Sequence, residues 1–205
     1  MNLDSPRTAR RKQALRSQLR EAVRATILDA AEELIAAKGL HGVGLAQIAK
    51  RAGVAVGTLY NYFDDRDAMV RVLFETRRAA VRPKLLAALT AGADQPFEPR
   101  LRRFMRELFG VFDEFRRYIK VLFEAEHLKP PGSHHDLLAA IDDILAVGVA
   151  EGAIAKASVE PLSVTLSGAL RAVLVRRSQS GESFAAAADP IITLLLDGAR
   201  KRSRS

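Results

Sequence analysis

The chain has 205 residues, 48% of them apolar, and carries 32 Lys plus Arg against 24 Asp plus Glu, a formal net charge of +8. That length and composition suffice for one large domain, or for a small domain fused to a larger one, and the basic balance favours polyanionic partners, nucleic acid or an acidic membrane. With no cysteine, disulfides, thiolate metal sites and thiol nucleophiles are excluded.

The first 20 residues hold Arg7, Arg10, Arg11, Lys12, Arg16 and Arg20 against Asp4 as their only acid, which predicts a mobile basic arm, either solvated or lying on DNA. No apolar core and small-residue cleavage site follow those arginines, and no apolar run reaches the roughly 18 residues of a spanning helix. A soluble, cytoplasmic protein with no membrane partner is the expectation. From Val23 the residues Ile27, Ala30, Ala31, Leu34 and Ile35 recur at spacings of three and four, predicting a first helix that ends near Lys38. Leu45, Ile48, Ala49 and Ala52 make two turns before Gly53, and another short helix must start at Val56 or Gly57. Two short helices across a tight Gly turn predict a helix-turn-helix.

On the second of these, Leu59 and Phe63 share the buried face, leaving Tyr60, Asn61 and Tyr62 with polar tips suited to phosphates and base edges. Gly57 leaves room for close approach of a duplex at the helix start. Asp64 and Asp65 offer caps for a helix from Arg66 to about Val81, where Pro83 should disturb it. After a loop at 92–96, residues 97–127 read as a long helix with a break near Arg116 or Arg117. The stretch 129–135, "KPPGSHH", ends it, and Ser133 is placed to cap a helix carrying Leu137, Leu138, Ile141, Ile144, Leu145 and Val149. Two more helices are expected over 161–179 and 184–201, with a basic tail beyond. No β alternation and no solenoid repeat is visible.

The stretch 45–70, "LAQIAKRAGVAVGTLYNYFDDRDAMV", with the preceding "ATILDAAEELIAAKGL", closely resembles the DNA-binding signature of the tetracycline-repressor (TetR) family. The likeness covers roughly residues 24–74. It implies an all-α protein: a basic arm (1–20), a three-helix DNA-binding domain (21–66), and a helical effector-binding and dimerisation domain (67–205). It further implies that Val56, Gly57, Tyr60 and Asn61 lie on the recognition helix, that Thr58 and Tyr62 touch phosphate, that Arg66 touches the DNA backbone, and that Ala46 and Gln47 start the second helix near the groove. Gly44 and Ala55 depart from the pattern, standing where the family usually has capping hydroxyls. Each lost cap is worth roughly 0.5 to 2 kcal/mol when Ala replaces it and less when Gly does.

Beyond residue 75 the resemblance carries architecture alone. The two C-terminal helices usually pair with their copies, which points to Leu166, Leu170, Val173, Leu174, Ile191, Leu194 and Leu195 as a homodimer face; the alternative is that these stripes serve only the subunit's own core, since a stripe does not say which side its partner comes from. An unidentified small apolar effector would be met by Met105, Leu108, Phe109, Phe112, Phe123, Leu138 and Ile141, with His127, His134 and His135 orienting it, though aromatic stripes at this spacing also build plain cores. Glu124 and His127 have a metal-ligand spacing without a second copy, so neither metal nor cofactor is expected, and no catalytic constellation assembles. The function expected is a regulator that binds a double-stranded DNA operator as a homodimer, a repressor released by its effector. A non-sensing architectural DNA binder, or a helical-bundle enzyme built on Glu124 and His127, stands as the alternative.

Overall fold

A computed structural model describes residues 6–128 and 135–199. The described residues form nine α-helices and three short 3-10 helices joined by turns, and contain no strand. They are α1 (Pro6–Lys38), α2 (Leu45–Ala52), α3 (Val56–Tyr60), α4 (Arg66–Thr90), α5 (Phe97–Glu114), α6 (Arg116–Glu124), α7 (His135–Ala150), α8 (Val159–Ser180) and α9 (Ala188–Ala199). They fall into two compact units, Met1–Leu73 and Phe74–Ser205, and α4 contributes residues to each.

In the first unit Ile27, Leu28, Ala31 and Ile35 of α1, Ile48 and Ala49 of α2, Leu59 of α3 and Met69 and Val70 of α4 close one small core. Burial of such side chains contributes about 1.5 to 3 kcal/mol each. The spacing of these residues is that of the sequence stripe, so the helices form where their apolar residues can meet. The basic segment departs from expectation. Residues 6–20 are the first four turns of α1 rather than a mobile arm. Their composition accounts for this: Arg, Lys, Gln, Ala and Leu are strong helix formers, and Pro6 stands at the first helical position, where its missing N–H costs no bond.

A second departure concerns α4, which continues through Pro83 to Thr90. An interior proline costs about 3 kcal/mol. The residues beyond it offset that loss, because Ala88 is buried, Leu85 and Leu89 pack against the second unit's core, and Lys84 Nζ reaches Glu114 at 2.7 Å.

That second core is built on α5, whose Phe97, Leu101, Phe104, Met105, Leu108, Phe109 and Phe112 are all buried. Ile141, Ile144 and Leu145 of α7 join them, with Leu162, Leu166, Leu170 and Leu174 of α8, Phe184, and Ile192 and Leu196 of α9. Packing is close at Gly148, where a Cβ would stand 2.7 Å from the Phe97 ring. The expected break in the 97–127 stretch falls at Phe115, one residue ahead of its predicted place.

Arg116 sits there over the Phe184 ring, 4.0 Å from its centroid, and donates to the carbonyls of Arg177 and Glu182. Asp113 accepts from the Phe184 and Ala185 N–H groups and the Ser183 hydroxyl. Together the pair pins the α8–α9 connection to the end of α5. Burial pushes the Asp113 carboxyl up, but the Ala185 and Phe184 N–H groups, the Ser183 hydroxyl and Arg116 outweigh it and hold the group below the ordinary carboxylate range.

The segment Lys156–Ser180 is long and apolar enough by composition to cross a membrane, although its apolar residues are interrupted by polar ones rather than forming an unbroken run. Within the subunit, one face of α8 fills the core just described, and the opposite face carries Val164 and Val175 exposed.

Candidate nucleic-acid interface

The turn between α2 and α3 rests on Gly53, whose φ of +71° belongs to the left-handed region that side chains disfavour. That conformation lets the Val54 N–H reach back to the Ala49 carbonyl at 3.0 Å, stopping α2 and sending the chain directly into α3. Ion pairing ties α2 to α1, with Arg51 Nε and Nη2 meeting the two Glu33 carboxylate oxygens at 3.2 and 2.6 Å. Leu59 and Phe63 anchor α3 by burial. Asp65 caps α4 as its sequence position predicts, Oδ1 accepting from the Ala68 N–H at 2.6 Å.

With these anchors set, Gly44, Ala46, Gln47, Val56, Gly57, Tyr60 and Asn61 are all exposed, Tyr60 at 53% of its surface. No atom lies within 4 Å of where a Cβ on Gly57 would stand, so the start of α3 is open. Helix α3 is shorter than a helix reaching Phe63 would be. Asn61 is its C-cap residue, and Tyr62 follows in the turn.

Three of the expected contact residues have partners within the unit. One Arg66 N–H donates to the Leu40 carbonyl at 3.1 Å, and its Nε lies 3.8 Å from Asp67, so this arginine also holds the α1–α2 turn. Tyr62 is half-buried against Phe63, with the Arg20 guanidinium 5.7 Å from its ring centroid. Gln47 Oε1 accepts from the Gly44 N–H at 3.3 Å, supplying half of a capping box on a helix whose cap residue has no side chain of its own. Thr58 is half-buried. The Arg20 contact was not foreseen, because cation–π proximity across 42 residues of chain leaves no mark in local spacing.

The expected effector residues divide. Met105, Leu108, Phe109, Phe112 and Ile141 are buried together in the second core, whereas Phe123 is half-buried beneath the Arg171 guanidinium, 5.8 Å from its centroid, and His127 is exposed. Leu138 and His135 lie on α7, their side chains outside the described residues, as is all of His134. A groove of about 660 Å³ opens elsewhere, on the outer face of α5, and is charged: Arg102 there binds Glu98 at 2.8 Å and Arg106 binds Asp189 at 2.9 Å.

Of the expected dimer residues, Leu166, Leu170 and Leu174 face their own subunit's core, Val173, Ile191 and Leu195 are half-buried at its edge, and Leu194 is 76% exposed. Among the described residues no group of three or more His, Asp or Glu side chains is placed to hold a metal ion.

A tight two-helix turn braced by a longer first helix, with one short helix presented to solvent, defines a helix-turn-helix module. Residues 27–73 match the family model of bacterial regulatory proteins, tetR family. The helix-turn-helix transcriptional regulator BetI of Escherichia coli is 33% identical over 91 residues, which cover 44% of this chain and 45% of that protein's length.

Among solved structures, the fatty acid degradation regulator FadR of Bacillus halodurans superposes with a TM-score of 0.70 at 25% identity, over 87% of this chain and 97% of that one. FadR of Bacillus subtilis in complex with stearoyl-CoA gives 0.65 at 21% identity, over 86% and 99%. Over residues 27–73 the chain is similar to the DNA-binding segment of the tetR family, and it spans about half the length of the curated relative it matches.

Proposed function

We propose that the protein is a transcriptional regulator that binds a two-fold DNA operator as a homodimer and is released from it by an effector with an apolar body. The observation that carries this reading is the exposed start of α3: Val56, Gly57 and Tyr60 stand free of the fold while Leu59 and Phe63 anchor the helix. Val56 offers methyl groups, Tyr60 and Asn61 offer polar tips, and Gly57 lets the backbone come close to a phosphate. With few base-directed hydrogen bonds available, sequence preference rests partly on methyl contacts and on DNA shape.

Homodimerisation is assigned to the outward faces of α8 and α9, where Val164, Val175 and Leu194 are exposed and Gly168 and Ala172 permit close approach. A closed two-fold pair would present two α3 helices to the two half-sites of a palindrome.

The effector site is assigned to the Phe-rich core of α5 and α7, on the chemistry of Phe109, Phe112 and Ile141 and on the stearoyl-CoA held by the Bacillus subtilis relative. Release requires that the effector bind one arrangement of the dimer better than the other, since equal affinity shifts nothing.

Selection of bound duplexes from a random pool tests the reading, followed by affinity measurements on the winner. Enrichment of an inverted repeat, and weaker binding by Tyr60→Phe with the dimer intact, is the expected result. A folded dimer that enriches no sequence would end it.

A further inference from the structure

From Pro6 to Arg20 the first helix is solvated on every described side: Leu15 and Leu19 are 57% and 58% exposed, and Arg7, Arg10, Arg11, Lys12, Arg16 and Arg20 are exposed as well. At 100° per residue, Lys12, Arg16, Arg20 and Arg24 form a ridge at i, i+4 spacing on the side of α1 that, further along, enters the core through Ile27 and Ala31. Arg7 and Arg11 lie on the opposite side. Arg20 ties the ridge to the helix-turn-helix, since its guanidinium lies over the ring of Tyr62 just past α3.

We propose that residues 6–20 form a second nucleic-acid-binding element, a rigid basic helix that follows the phosphates flanking the half-site read by α3, with Lys12 and Arg16 turned to the DNA. The proposal rests on the DNA-binding reading of the helix-turn-helix.

Three observations single out DNA as the occupant. Cations repeated at i, i+4 spacing present a line of positive charge complementary to a line of phosphates. Glu21, the one acid among residues 6–25, stands on the far side of the ridge from Arg16 and pairs with Arg24 at 3.5 Å. The ridge is also continuous, through Tyr62, with the surface carrying Tyr60 and Asn61. Contacts of Lys and Arg to phosphates carry no sequence information, so its contribution is independent of sequence. Its 14 steps span about 21 Å, roughly six base pairs of duplex.

The experiment compares affinity against salt on two duplexes, one trimmed to the selected operator and one with about ten further base pairs on each side, enough to exceed the helix's reach. The proteins are the full-length wild type, Lys12→Gln/Arg16→Gln, Arg7→Gln/Arg11→Gln and Tyr60→Phe. Glutamine has nearly the helix propensity of the residues it replaces, and unchanged far-UV circular dichroism verifies that the extension stays folded.

On the flanked duplex the Lys12→Gln/Arg16→Gln slope should be shallower than wild type by about 1.8, or about tenfold in relative affinity between 50 and 200 mM salt. On the trimmed duplex the two proteins should coincide. Arg7→Gln/Arg11→Gln, with the same charge removed, should follow wild type on both. Equal slopes for wild type and Lys12→Gln/Arg16→Gln on the flanked duplex would overturn the proposal, as would equal losses from both pairs, which would reduce the helix to net charge.

Wild-type binding to phosphatidylglycerol vesicles that Lys12→Gln/Arg16→Gln abolishes, with its DNA slope unchanged, would assign the ridge to membrane instead. Tyr60→Phe weakens binding to both duplexes if the helix-turn-helix reads DNA. Failure of that variant to do so, or of any duplex to be selected, is the failure of the underlying reading and takes this proposal with it.

Discussion

Replacing Gly44 by serine should stabilise the protein and tighten its hold on DNA. The backbone at Gly44 is extended, with φ −97° and ψ 156°, a conformation open to any residue. A Cβ there would meet nothing within 4 Å, and the position borders an open groove of about 500 Å³ between Val43, Leu45 and Asp65–Asp67.

The introduced hydroxyl can accept from an N–H of the first turn of α2 while Gln47 Oε1 keeps its bond from the residue 44 N–H, completing the capping box of which half already exists. Serine improves on glycine as a cap by only a few tenths of a kcal/mol. Loss of glycine's freedom in the unfolded chain adds about 0.4 to 1 kcal/mol. The sum, about 0.6 to 1.5 kcal/mol, should raise the melting temperature by roughly 2 to 5 °C for a chain of this size. If the hydroxyl also donates to a phosphate, a bond worth about 0.5 to 1.5 kcal/mol tightens the operator complex by about two- to tenfold.

Urea unfolding and operator titration of wild type, Gly44→Ser and Gly44→Ala measure both effects. The alanine variant shares the backbone term but lacks the hydroxyl, so serine should exceed it by about 1 kcal/mol. Serine no more stable than alanine would refute the reasoning.

Asp113→Asn should destabilise the protein by about 1 to 3 kcal/mol at neutral pH, because the N–H groups of Phe184 and Ala185, the Ser183 hydroxyl and Arg116 lose a charged acceptor. Since folding holds this carboxyl below its ordinary range, its contribution is full above the unfolded pKa of about 3.9 and is lost as pH falls through the lower folded value. The gap between wild type and variant, read by urea midpoints, should therefore be constant between about pH 5 and 7 and close below about pH 4. At the other end of the unit, Leu194→Glu with Val164→Glu should convert the dimer to folded monomers by sedimentation. Leu170→Ala, in contrast, should cost about 2 to 5 kcal/mol of subunit stability, because that side chain lies inside the core.

What sequence made legible follows from how locally each feature is specified. The bounds of α2 and the start of α3 were readable because Leu45, Ile48, Ala49 and Gly53 set them within nine residues. The basic segment is hard to read because charge density suggests solvation and Leu15 and Leu19 are too few to make a stripe, although its helix propensity is good. Pro83 misled in the opposite sense: its cost is local, but the packing of Leu85, Ala88 and Leu89 that offsets it comes from residues far along the chain. On α8 the stripe Leu162, Leu166, Leu170 and Leu174 was visible, but a stripe carries no sign of who packs on it. Only its burial separates it from Val164 and Val175 on the reverse side. The resemblance implies DNA contacts for Arg66 and Gln47, and their bonds to the Leu40 carbonyl and the Gly44 N–H appear only once the turns are folded.

In the proposed homodimer, the exposure of Leu194 and Val164 on a subunit whose own core is already filled by Leu166, Leu170 and Ile192 would make folding and pairing separable. Dilution would then part the subunits before either unfolds. A two-fold DNA site needs both copies at once, so its occupancy would rise with the square of subunit concentration wherever monomers predominate. Cellular abundance would thereby become a threshold as sharp as any the effector imposes, and a modest change in synthesis or degradation of the chain would act on its target without any ligand.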